Sequence, residues 1–254
     1  MPASVRQRSF VLTVSESKRL IARALKRHPA VMRALAQGTV VVAKGSTNGY
    51  VYEELAQTGI DKPHYCMGTT RPSHGAEWAR TSADIPDLVL RCGEPQHGVK
   101  AVDAVADMGP GDVFIKGANA LNYDLGQAAV LVGHPTGGTM GATLGTIVAR
   151  RIHLIIPVGL EKSIPGDLTA LYQDMADVGL DGDGPMLWPL TGEIFTEIEA
   201  VDLLSGARAA PIAAGGIAGA EGGIRLAVWG APSEVDRAVG AIEDIRGEPP
   251  FLTP

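Results

Sequence analysis

Three largely apolar runs punctuate the first two thirds of the chain: Thr39-Val-Val-Val-Ala43, Asp112-Val-Phe-Ile115 and Ile152 to Val158. Short, β-branched runs without polar alternation predict strands covered on both faces, as in a parallel sheet. Each run stops on polar or glycine residues, namely Lys44-Gly-Ser-Thr-Asn48, Lys116-Gly-Ala-Asn119 and Gly159-Leu-Glu-Lys162. Residues just past the ends of parallel strands are where α/β folds meet ligands. Helical spacing appears in Ile21, Leu25, Met32 and Leu35, opened by a capping box in Thr13-Val-Ser-Glu16 and closed by Gly38. Val99, Val102, Val105 and Ala106 predict a short helix, and Leu168, Leu171, Met175 and Val178 a longer one. Residues 61–98 are rich in proline and irregular, apart from a strand over Asp87–Arg91.

The last quarter has a different rhythm. A strand over Met186–Leu190 is followed by a helix capped by Thr191, with Ile194, Ile198 and Val201 inward and Gly206 at its end. Strands over Ala209–Ala213 and Ile224–Trp229 flank the glycine-rich AGGIAGAEGG, read as a hairpin turn. A helix over Ser233–Ile245 opens with a capping box, Ser233-Glu-Val-Asp236. The order β-α-β-β-α is most of a ferredoxin-like split βαβ. Leu180-Asp-Gly-Asp-Gly-Pro185 is the expected linker. It lacks the later ligands and the acidic twelfth position of a calcium loop. The expected fold is α/β: a parallel-sheet, Rossmann-like main domain over residues 1–185, then a small ferredoxin-like α+β lid over residues 186–254.

Composition narrows the chemistry. A net charge of −6 gives no general attraction to nucleic acid or to an anionic membrane, and no apolar run reaches the length of a membrane span. With two cysteines in no metal-ligand spacing and no secretory leader pattern, a cytoplasmic, reduced protein is expected. The basic face of the first helix (Lys18, Arg19, Arg23, Lys26, Arg27) reads as a solvated surface or an oligomer contact. A homo-oligomer is expected, with no metal and no cofactor. Cys66 reads as a small buried hydrophobe.

Candidate chemistry sits at the strand ends. Lys116, Glu161 and Lys162 are the candidate catalytic residues, able to supply charge and proton transfer. Lys44, Gly45, Ser46, Thr47, Asn48, Arg71, Asn119, Thr136, Gly137, Gly138 and Thr139 are the candidate anion-binding residues. Gly45–Asn48 and Gly137–Thr139 each open a helix, where free N–H groups and the helix dipole attract an anion. The two loops are expected to converge on one pocket. Arg71 follows a Gly-Thr-Thr turn and reads either as a carboxylate or phosphate clamp or as a surface arginine.

Two stretches carry a resemblance. Gly38-Thr-Val-Val-Val-Ala-Lys-Gly-Ser-Thr47, with a helix ending Glu-Glu-Leu55, resembles the first strand and Gly-Ser-Thr loop of the ribose-phosphate isomerases. Asp112-Val-Phe-Ile-Lys-Gly-Ala-Asn119, with Gly145-Thr146 and Ile155-Ile-Pro-Val158, is similar to the methylthioribose-phosphate isomerase branch of the same superfamily, which also holds glucosamine-phosphate deaminases and CoA transferases. Asn119 and Ala120 stand where those isomerases carry acids, so the full acid set is not present. The resemblance implies an enzyme on a small anionic metabolite, a phosphorylated sugar or sugar acid, with isomerase-like chemistry. Its rivals are a non-catalytic metabolite-binding or regulatory protein on the same fold, and a CoA-linked transferase.

Overall fold

The computed structural model describes residues 5–68, 70, 85–178 and 184–251. In chain order the elements are β1 (Arg6–Leu12), α1 (Val14–Leu25), α2 (Pro29–Gln37), β2 (Thr39–Val42), α3 (Ser46–Ala56), β3 (Leu88–Arg91), β4 (Glu94–Pro95), α4 (Ala101–Ala104), β5 (Val113–Ile115), β6 (Ala120–Asn122) and β7 (Gln127–Val132). There follow α5 (Gly138–Ala149), β8 (His153–Pro157), α6 (Leu168–Val178), β9 (Met186–Leu190), β10 (Glu193–Phe195), α7 (Glu197–Ser205), β11 (Arg208–Ala214), β12 (Ile224–Gly230) and α8 (Pro232–Glu243). The fold is mixed α/β. A six-stranded sheet has the order β10-β8-β5-β2-β3-β4, and two three-stranded sheets have the orders β6-β7-β9 and β1-β12-β11.

The apolar runs become the centre of the large sheet. β2, β5, β8 and β10 are mutually parallel, and β3 and β4 continue it antiparallel. Val40, Val41, Val42, Phe114, Ile115, Ile155 and Ile156 are fully or almost fully buried, as strands covered on both faces must be. The four parallel strands add in one direction, so no reversal of strand order opens a crevice. Their carboxyl ends are covered instead by residues of α1 and by the start of α7.

The helical stripe from Ile21 to Leu35 is two helices. Pro29 cannot continue α1, so it occupies the first turn of α2, where Nδ1 of His28 accepts the Ala30 N–H at 3.3 Å. Thr13 caps α1 in the expected way, its hydroxyl accepting from the Glu16 N–H while the Glu16 carboxylate accepts from the Thr13 N–H. The solvated basic face is corrected in part. Lys18 and Arg19 are 6% and 9% exposed, because α1 packs between α3 and α7 and both flanks are covered. Arg27 remains at the surface.

Four further expectations change. The sheets do not follow a division at residue 185: β9 pairs with β7, β10 pairs with β8, and β1 completes the sheet of β11 and β12. The third strand beside that hairpin thus comes from residues 6–12. Thr191 does not cap a helix, because Glu193–Phe195 pairs in parallel with β8 as an edge strand. The helix starts after Thr196, whose backbone N–H donates to Glu199 at 2.7 Å. The last helix starts one residue early, with Pro232 in its first turn and Glu234 accepting the Ala231 N–H. Along α6 only Leu168 is fully buried and Met175 packs half-buried beside it, while Leu171 and Val178 face outward, so the expected stripe is core only in part. Residues 180–183 of the expected linker lie outside the described residues. Among the described residues no helix is long and apolar enough to cross a membrane.

Candidate functional site

The ends of β2, β5, β8 and β10 deliver polar residues to one buried place. From β2 the chain turns through Lys44 and Gly45 into α3, whose first turn carries Ser46, Thr47 and Asn48. Gly45 offers no side-chain cap to the first turn of α3. Nδ2 of Asn48 donates to the carbonyls of Ala43 at 2.6 Å and Ile115 at 3.1 Å, stitching the ends of β2 and β5 together. Two carbonyl acceptors require the amide NH₂ on that side, which fixes Oδ1 on the other. Asn48 Oδ1 and Thr47 Oγ1 are buried and have no hydrogen-bond partner among the described residues.

From β5 comes Lys116, whose Nζ donates to the Lys44 carbonyl at 3.3 Å. Burial lowers its pKa, partly offset by the charges of Asp87 and Cys66. From β8 the chain passes Gly159 into a 3₁₀ turn, Leu160–Lys162. Lys162 Nζ donates to the Ala118 carbonyl at 2.7 Å, and burial lowers its pKa as well, with Glu161 opposing the shift. Both carboxylate oxygens of Glu161 are buried without a hydrogen-bond partner among the described residues. The nearest recorded cation is Lys18 Nζ, 3.9 Å from Oε1. A Cβ at position 159 would lie 1.8 Å from Glu161 Oε2, so any side chain there would displace the Glu161 carboxylate.

Two contributors escaped sequence reasoning. Lys18 reaches the site from α1, with its ammonium 5.2 Å from the centre of the Phe251 ring. Glu197, the first residue of α7, is 0% exposed, and both its oxygens accept the Leu160 N–H, at 2.9 and 3.3 Å. Its pKa is raised to about 8, by burial first and then by the neighbouring charge of Glu161, against hydrogen bonds that include one to Ser17. The signal for Glu197 was its place directly after a strand end, hidden while Glu193–Phe195 was read as helix.

The other expected site residues are placed differently. Asn119 holds the β6–β7 hairpin: its N–H donates to Ala129 and its Oδ1 accepts from Leu131 N–H. The Gly137–Thr139 turn follows β7, which belongs to a different sheet from β2 and β5. Its glycines are explained by the backbone: Gly137 and Gly138 have φ of 81° and 57°, and a Cβ on Gly137 would also lie 2.8 Å from the Gly141 Cα. A Cβ on Gly141, just beyond the turn, would lie 1.9 Å from the Thr136 carbonyl oxygen. Thr136 bonds to His134 through its N–H and hydroxyl, and no hydrogen bond joins residues 136–139 to the strand-end cluster among the described residues. Gly138 and Thr139 form the first turn of α5, with the Thr139 carbonyl accepting from Thr143. Arg71 lies outside the described residues. Cys66 is only half-buried, its Sγ 3.7 Å from the Lys62 carbonyl, and it sits close enough to act on both Lys116 and Lys162.

Chemically, the strand-end cluster combines cationic groups with a carboxylate whose lone pairs are uncommitted. Leaving a buried carboxylate unpartnered costs several kcal/mol, on the order of ~3–5 when a partner is lost. Folded proteins tolerate such groups mainly where a ligand or a proton is to be handled. No family model, no curated protein and no solved structure matches this chain, so its reading rests on this geometry.

Proposed function

We propose that the chain is an enzyme that binds a small anionic metabolite, a phosphorylated sugar or a sugar acid, and moves a proton on it in an isomerase-like reaction. The observation that carries this reading is the Glu161 carboxylate, buried with both oxygens unpartnered beside Lys18. A carboxylate held dry and uncommitted is a general base waiting for a C–H or O–H to accept from. The anion would sit at the open first turn of α3, against Thr47 Oγ1 and the ammonium of Lys116. Lys162 would polarise the carbonyl that gains charge as the proton leaves. Four parallel strands with the cluster at their carboxyl ends support a Rossmann-like description of the core. The sheet of β1, β11 and β12 with α7 and α8 supports a lid beside it.

The test is deuterium incorporation. The protein is incubated in D₂O with a panel of sugar phosphates and sugar acids, and solvent deuterium at carbon is read by NMR or mass spectrometry. The wild type is expected to label one class, and Glu161→Gln to lower the rate at least ~100-fold while folding normally. Binding of a panel member without any exchange would leave a non-catalytic binding protein. Equal exchange by wild type and Glu161→Gln would remove Glu161 from the chemistry.

A further inference from the structure

Glu197 is used by none of the steps above, yet it is the most enclosed acid of the site. Its carboxyl group spans the gap between α7 and the Leu160–Lys162 turn, where both oxygens accept from the Leu160 N–H. That turn carries Glu161 and Lys162 on adjacent residues, and its cap, Gly159, gives it no side-chain hydrogen bond. Glu197 thus stands in for the missing cap. Few other groups face it. From the turn it meets Glu161, with Lys162 next in line. From α1 it meets Ser17, with Lys18 beyond, its Nζ 3.9 Å from Glu161. Lys116 and Cys66 act on Lys162 from farther along the strand ends. On its own helix, Glu199 turns away to Thr196 and to Tyr123.

We infer that Glu197 is a positioning residue that works as a neutral carboxylic acid: it clamps the turn bearing Glu161 and Lys162 while leaving Glu161 as the charged member of the two glutamates. This rests on the proposed anion-binding function. Two carboxylates side by side in a dry site cannot both ionise cheaply, so one keeps its proton. Glu197 is fully buried, while Glu161 has Lys18 Nζ at 3.9 Å to favour its charged form; the proton therefore stays on Glu197, although the Leu160 N–H favours its ionised form, and the raised pKa of Glu197 agrees with that assignment. When pH rises through about 8 the clamp gains a charge. The site then repels an anionic ligand, and the charges of Lys18 and Lys162 are drawn away from it.

Sulfate tests this, because it stays a dianion across the useful pH range. Its binding is measured by calorimetry at pH 6.5 and pH 9 for wild type, Glu197→Gln and Glu197→Leu. Gln keeps an acceptor for the Leu160 N–H and never ionises. Lys116 and Lys162 contribute whatever loss they cause to wild type and Gln variant alike, so the difference between these two isolates Glu197. The affinity of wild type is expected to fall at least ~10-fold further than that of Glu197→Gln, the size of effect one added charge has in a partly dry site. Glu197→Leu, which drops the hydrogen bond, is expected to bind at least ~10-fold more weakly at both pH values. Identical pH dependence in wild type and Glu197→Gln would overturn the assignment of Glu197 and leave the anion site standing. Absence of sulfate binding to wild type at pH 6.5 would overturn the anion site and the assignment with it. If Glu197→Leu does not fold, the comparison of wild type with Glu197→Gln decides alone.

Discussion

Lys18 and Arg19 are neighbours on α1, both are buried, and they enter two ionic clusters of opposite character. Arg19 enters a closed one. Its guanidinium donates to Glu248 at 2.9 and 2.8 Å, to Glu54 at 3.1 Å and to Glu53, while Lys62 donates to Glu53 at 3.0 and 3.1 Å. The Arg19 guanidinium and the Lys62 ammonium each lie 4.9 Å from the Tyr50 ring. Lys18 enters an open one, where, among the described residues, Glu161 accepts no hydrogen bond and Asn48 Oδ1 and Thr47 Oγ1 are likewise left over. The first cluster spends its donors on its own acceptors and so belongs to the architecture. The second withholds acceptors from the fold, which is what a ligand needs. Burial of charge alone would not have separated the two; the count of unsatisfied atoms does.

The largest expected effect breaks the closed cluster. Arg19→Met keeps most of the apolar stem but strands Glu53, Glu54 and Glu248 without their guanidinium, at a cost of about 3–5 kcal/mol in urea unfolding. Glu161→Gln, the matching loss of charge in the open cluster, is expected to leave stability unchanged or raised. If both variants lose stability equally, the distinction between the clusters disappears.

A second effect of a few kcal/mol depends on pH. Glu197 has a folded pKa raised to about 8, above the value of 4.5 expected in an unfolded chain. Its contribution to stability is therefore fully present below about 4.5 and is lost as pH rises through about 8. Glu197→Gln cannot lose it. Relative to wild type, the Gln variant should gain on the order of 3 kcal/mol in unfolding free energy between pH 5 and pH 9. A gain on the acid side instead would reverse the sign and refute the neutral-acid assignment.

The smallest effect concerns Lys116, the group shared between the anion site and the backbone of Lys44. Lys116→Met should fold nearly normally, since the ammonium has one 3.3 Å bond to lose, while sulfate affinity falls at least ~10-fold, about 1.4 kcal/mol. Unfolding of this variant, or unchanged sulfate affinity, would move Lys116 to the structural side of the comparison.

The open cluster was half legible in the sequence. Lys116, Asn48, Glu161 and Lys162 directly follow apolar strand runs, and strand ends of a parallel sheet share one edge, so local pattern alone brought them together. Lys18 and Glu197 were not legible, because nothing near either residue announces its burial. Lys18 lies among basic residues that look solvated, and its carboxylate, Glu161, is more than a hundred residues away in the chain. Glu197 was masked by a wrong helix start at Thr191, because only the pairing of Glu193–Phe195 with β8 shows that the helix begins after Thr196. The glycines of Gly137–Thr139 misled for the opposite reason. A glycine required by a positive φ, as at Gly137 and Gly138, looks, in sequence, the same as one left bare for a phosphate.

The pairing of β1 with β12 has a consequence for the order in which a ribosome can finish this molecule. Leu12 lies opposite Ile224 and Arg6 opposite Gly230, so the strand leading into α1 waits for nearly the whole chain before it has a partner. Until then α1 lacks the α7 surface that covers it, and Glu248 is not there to close the Arg19 cluster. Vectorial synthesis can build the run of β2, β5 and β8 as it emerges, but Lys18 and Glu197 meet Glu161 only near the end. Contacts so distant in sequence make folding slow, and they make the competent site a late event of synthesis rather than an early one.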